Sequence, residues 1–221
     1  MDDKILELRA SPMFRHLSSD VLARIAPEVI RRVYCKGQII VQQGEPALGF
    51  YLVLFGRVKI RVSSGSGKEQ VLHFYGPGDS FGEAAMLGGN GYPVDVVTLE
   101  RTRLAFVPAR PFEQELVGDP EFGRKVMRSM AKRLAEFAHI IEDLSIREVK
   151  ARLACYLLRE RARDDQLDLP VSKGELAHLL GTTAESLSRS LRALSDQGAI
   201  AVDGRHISLL NADALMDLAD E

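Results

Sequence analysis

The chain has 221 residues, 46% hydrophobic and 27% charged, the composition of a folded protein with one large domain or two small ones. A net charge of −2 excludes a polycation, and no apolar run reaches membrane-spanning length. MDDKILELRA is no signal peptide, and Cys35 and Cys155 show neither metal-ligand spacing nor a disulfide framework, which points to a reducing cytoplasm and no membrane partner.

Residues 1–30 read as helical, with Ser18-Ser19-Asp20 as a start signal before VLARIAPEVI. Residues 31–110 read as β structure. The runs IIV, FYLVLF, VKIRV, VLHFY, VDVVTL and RLAFV alternate with glycines, as in a sandwich, barrel or roll. From Pro111 the pattern turns helical. Asp119-Pro120-Glu121 is a helix start, with proline in the first turn and acids at the positive end of the dipole.

Met127, Met130, Leu134, Phe137, Ile141 and Leu144 then alternate by three and four. A globular helix buries such a stripe against its own domain. Here the stripe is narrow and flanked by Arg128, Lys132, Arg133, Glu136, Glu142 and Asp143, which favours a two-fold coiled coil and a homodimer. Arg147 to Arg163 holds six Arg or Lys against two Glu, a local basic segment on an otherwise balanced chain.

Two short helices follow. The first spans about Lys173 to Leu180, with Leu176, Leu179 and Leu180 on one face, and Gly181 marks a turn. Thr182 or Thr183 is placed to cap the second helix, with Glu185 as a capping-box acid. Leu187, Leu191 and Leu194 give that helix an apolar stripe, and Glu185, Ser186, Ser188, Arg189 and Arg192 its polar face. Short polar groups and arginine in front of an apolar back suit a helix read into the DNA major groove. Asp203-Gly204 is a hairpin turn between IAV and HISLL.

The order of these parts resembles the CRP/FNR family of bacterial transcription regulators. The resemblance rests on KGQIIVQQGEPALGFYLVLFGRVKI, GPGDSFGEAAML, the seam helix, the hairpin and the wing IAVDGRHISLLN. It implies an α+β chain in three parts: N-terminal helices and a β-roll sensor (1–110), a dimerisation helix (111–145) and a winged helix-turn-helix (146–221). No P-loop, G-x-S-x-G or metal cluster points to an enzyme instead.

Carried onto this sequence, the family's E-x-x-S-R pattern falls on Glu185, Ser188 and Arg189. Arg189 suits a bidentate bond to guanine O6 and N7, and Glu185 an amino group of cytosine or adenine. Ala184 stands where CRP has an arginine, so the resemblance is to the FNR branch with its TTGA-type half-sites. Ser172, Lys173 and Thr183 are expected phosphate contacts on double-stranded DNA. A dimer sets two such helices about 34 Å apart, the spacing of adjacent half-sites. RNA polymerase is the partner that the resemblance implies for an activator.

Gly82-Glu83 matches the family's ribose-binding pair, but Pro93 and Val94 occupy the phosphate-binding Arg-Ser positions. A phosphate buried without a cation is strongly disfavoured. Phe137 and Ala138 replace the polar pair that contacts adenine. Cyclic AMP and cyclic GMP are therefore not expected, and Glu83 is read as a structural cap. The first thirty residues hold no cysteine, so no iron-sulfur cluster is expected.

What remains is similar to the heme-dependent nitrosative-stress and denitrification regulators of the DNR and HcpR types. That likeness implies an apolar effector pocket lined by Phe74, Phe81, Gly82, Glu83, Met86, Leu87, Tyr92, Val96, Leu134 and Phe137. It implies a possible heme sensing nitric oxide, with His16, His73 or His139 as axial ligand. A cyclic nucleotide, a small organic effector and a constitutive DNA binder stay open beside it.

Overall fold

The computed structural model describes residues 3–15, 17–65, 69–161 and 165–219, without the side chain of Asp143. Two compact units divide the chain. One comprises Met1–Ser63 and Leu72–Glu136, the other Ser64–Val71 and Phe137–Glu221.

The first unit opens with helices α1 (Asp3–Ala10) and α2 (Ser19–Ile25). Ser18 caps α2, its hydroxyl accepting from the Val21 amide, as the start signal foretold. The helix stops earlier than the expected residue 30. Pro27 has no N–H to continue the ladder, Ala26–Glu28 tightens into a 3-10 turn, and the chain enters β1 (Ile30–Tyr34).

Seven more strands follow: β2 (Ile39–Val41), β3 (Gly49–Phe55), β4 (Val58–Ser63), β5 (Glu69–Tyr75), β6 (Ser80–Phe81), β7 (Asp95–Thr98) and β8 (Thr102–Pro108). One sheet has the order β1-β8-β3-β6 and the other β2-β7-β4-β5. All six apolar runs of the sequence are strands. Helix α3 (Glu83–Gly88) and the short strand β6 had no sequence signal of their own. The continuous run of β3 reflects burial on both faces. Tyr51 and Val53 enter the roll interior with Val58, Phe81, Val96 and Leu104. Phe50 and Leu52 enter a second core with Phe14, Leu22, Ile25, Phe112 and Phe122.

Four of those phenylalanines form one cluster. Phe50–Phe112 and Phe112–Phe122 meet edge-on with centroids 4.9 and 5.2 Å apart. Each such pair is worth about 0.5–1.5 kcal/mol beyond the area it buries. The cluster ties the N-terminal helices to β3, to α4 (Ala109–Gly118) and to the first turn of α5 (Pro120–Ile146). Residues 111–118 thus lie in a helix of their own, not in the long helix as expected. Asp119 separates the two, its carboxylate accepting from the amides of Glu121 and Phe122.

In the second unit the C-terminal part of α5 is followed by α6 (Val149–Glu160), strand β9 (Gln166–Asp168), α7 (Lys173–Leu179), α8 (Ala184–Asp196), β10 (Ile200–Asp203), β11 (His206–Leu209) and α9 (Ala212–Ala219). The three strands form a sheet in the order β10-β11-β9. Asp203 pairs with His206, so the turn is Gly204-Arg205, with Gly204 at φ +59°. Leu153, Leu157, Leu176, Leu187, Leu194 and Ile207 are buried in this unit.

Candidate DNA-reading face and effector site

Helix α8 presents two unlike faces. Leu187, Leu191 and Leu194 are buried, while Glu185, Ser188, Arg189 and Arg192 are exposed and Ser186 is half-buried. Thr183, not Thr182, is the N-cap, its hydroxyl accepting from the Ser186 amide at 3.2 Å. This places Glu185 in the second helical position, so no capping box forms, and its charge acts only on the positive helix end. Ser172 caps α7 in the same way, accepting from the Glu175 amide at 3.2 Å. Both cap hydroxyls keep their own hydrogen free to donate.

The turn between α7 and α8 needs glycine. Gly181 has φ +62°, and a Cβ there would lie 2.8 Å from Leu144 Cδ2 and 3.1 Å from Arg152 Nη1. On the exposed face Arg189 Nη2 donates to Ser186 Oγ at 3.2 Å, and Ser188 Oγ donates to the Ala184 carbonyl at 2.8 Å. These local bonds hold the side chains against the helix. Lys173, Ser188 and Arg192 also line a groove with Ser195, Asp196 and Val202 beside the wing. Of the basic segment, Lys150 donates to Gln197, and Arg147 donates to the Ala219 carbonyl, so these two cations serve the fold.

The expected seam splits in two. Met127, Leu134 and Ile141 are 63%, 71% and 64% exposed, one heptad apart. Met130, Phe137 and Leu144 are half-buried; Met130 packs on the core of the first unit and Leu144 lies against Gly181.

The expected effector residues occupy different places. Phe81, Tyr92 and Val96 fill the roll interior, and Met86 belongs to the second core. Phe74 is half-buried on β5, while Leu87 and Leu134 are exposed. Phe137 lies in the other unit. Gly82 has φ +98°, and a Cβ there would meet the Tyr92 ring at 3.0 Å. Among the histidines, His73 is half-buried with its ring 4.6 Å from that of Tyr75. His139 is exposed beside Glu142, and His16 lies outside the described residues.

Glu83 is not the cap expected of it. The N-cap of α3 is Gly82, with no side-chain bond, and the Glu83 side chain is 0% exposed. Its Oε2 accepts from Arg133 Nη1 at 2.9 Å, and Arg133 Nη2 donates to the Ser80 carbonyl at 2.9 Å. The guanidinium carbon also stands 5.3 Å from the centre of the Tyr75 ring. Burial works against the charge of Arg133, but Glu83, Tyr75 and Glu136 together outweigh it and the pKa is raised. Burial pushes the Tyr75 phenol up to about 12. Glu83 Oε1 has no hydrogen-bond partner among the described residues. Glu83 thus takes its cation from α5. The sequence offered Arg133 only as a flanking charge.

A β-roll, a long helix and a winged helix-turn-helix with an exposed polar face define a DNA-binding regulator with an effector-binding domain. Residues 31–119 match the model described as cyclic nucleotide-binding domain, and residues 151–218 the Crp-like helix-turn-helix domain. The chain is similar to the cyclic AMP receptor protein of Thermus thermophilus, 27% identical over 212 residues and covering 96% of this chain and 98% of that one. It is 27% identical over 191 residues to the transcriptional activator protein anr of Pseudomonas aeruginosa, with 83% and 78% covered. The structure of FixK2 from Bradyrhizobium japonicum superposes with a TM-score of 0.78 at 27% identity, over 86% of this chain and 96% of that one. The chain belongs to the CRP/FNR family of transcription regulators and is a DNA-binding regulator with an effector-binding domain. No described helix is long and apolar enough to cross a membrane.

Proposed function

We propose that the protein acts as a homodimer on a palindromic TTGA-type site, in the cytoplasm, recruiting RNA polymerase in response to an effector. The single observation that carries the reading is α8, which buries leucines and exposes Glu185, Ser188, Arg189 and Arg192. Arg189 reads guanine, Glu185 accepts from a base amino group, and Ser172, Lys173 and Thr183 position the phosphates. The exposed stripe Met127, Leu134 and Ile141 packs against its copy in the partner.

The effector acts at the Glu83–Arg133 pair. A ligand that donates to Glu83 Oε1 and offers Arg133 an acceptor changes the packing of α5, the helix that carries the dimer contact. A small polar organic effector fits this chemistry. Heme sensing nitric oxide is the second reading, carried by half-buried His73 beside Tyr75.

Two experiments test this. Arg189→Ala is expected to weaken binding to a TTGA palindrome by about 30-fold or more, because each of the two half-sites loses a bidentate contact worth about 1–3 kcal/mol, and to leave binding to random duplex unchanged. Equal loss on both duplexes removes the base-reading role. Hemin titration gives a saturable Soret band, lost in His73→Ala, only if heme is the effector.

A further inference from the structure

Glu69 begins β5, and its carboxylate Oε1 lies 3.4 Å from His178 Nδ1 on α7. A carboxylate oxygen of Glu175, one turn earlier on α7, completes a set whose three donor atoms all lie within 4.8 Å of one another. Glu175 and His178 are three residues apart and therefore share a helix face. Glu69 and Glu175 are partly buried, and His178 is exposed at the rim.

The backbone that carries Glu69 is already fixed to the helix that carries the other two donors. Gln70 Nε2 lies 2.7 Å from the His178 carbonyl and 3.2 Å from the Leu179 carbonyl. Segment Ser64–Val71 and helix α7 belong to the same compact unit. Little conformational freedom is left to lose when the three donors converge.

Metal bonds about 2.1 Å long around a tetrahedral ion set ligand atoms about 3.4 Å apart. The Glu69–His178 spacing already has that value, and Glu175 stands within 4.8 Å of both donors. Two carboxylates offset a doubly positive charge, and an imidazole selects zinc-like ions over magnesium or calcium. We propose that Glu69, Glu175 and His178 bind one divalent transition-metal ion of the zinc class, clamping the start of β5 to the first helix of the helix-turn-helix. A hydrogen-bonded His–Glu pair alone has no such metal dependence.

The test uses the full chain, stripped with a chelator and titrated with zinc against a chromophoric competitor. One ion per chain is expected. Glu69→Gln and His178→Ala are each expected to weaken binding by about 10-fold or more, the size of effect expected when a site loses a supporting group. His206→Ala, which removes the exposed His206–Asp168 pair, leaves it unchanged. Hydrogen exchange at Glu69–Val71 slows on adding zinc to the wild type and not to Glu69→Gln, whose isosteric amide preserves the fold. Zinc uptake equal to that of the Glu69→Gln/Glu175→Gln/His178→Ala triple variant overturns the proposal. So does equal loss in His206→Ala.

Discussion

Replacing Arg133 by methionine removes the only hydrogen-bond partner that Glu83 has among the described residues. The carboxylate is 0% exposed, whereas the Arg133 side chain is 19% exposed, so the two halves of the pair are not equivalent. Arg133→Met strands a buried charge and should cost about 3–5 kcal/mol. Glu83→Gln leaves a cation that keeps the Ser80 carbonyl and the Tyr75 ring, and should cost about 1–2 kcal/mol. The double variant replaces the stranded carboxylate by a neutral amide, whose burial costs only about 1–3 kcal/mol. Glu83→Gln is therefore expected to rescue Arg133→Met, although it destabilises the wild type. The chain has no tryptophan, so urea unfolding is followed by circular dichroism, with tyrosine absorption weighted toward the first unit, which holds four of the five tyrosines. A double variant less stable than Arg133→Met refutes the reasoning, as does an Arg133→Met cost below about 1 kcal/mol.

Two further outcomes follow from burial and capping. Thr183→Ala should destabilise the second unit by about 1 kcal/mol, and Thr183→Ser should restore it; calorimetry checks both. Leu134→Glu places like charges across the proposed dimer contact at a 71% exposed position. Sedimentation should show monomers, with the stability of each chain unchanged to within about 0.5 kcal/mol.

Local pattern was enough for much of the molecule. Ser18 caps α2, and Thr183, one of the two threonines the sequence offered, caps α8, because short hydroxyls facing bare amides announce themselves in sequence. The strands of the roll and the buried face of α8 follow from period and glycine punctuation, which each segment carries alone. What the sequence left open was settled by groups far apart along the chain. Glu83 and Arg133 are fifty residues apart, and no spacing rule links a carboxylate at the start of one helix to the flank of another. Strand β1 exists because Ile30–Tyr34 pairs with β8, and β9 because it pairs with β11; neither run carries a clear period of its own. The heptad positions of α5 look alike in sequence, yet tertiary packing leaves Met127, Leu134 and Ile141 bare while covering Met130 and Leu144. Periodicity selects a face, and only the fold decides which part of that face the chain itself consumes.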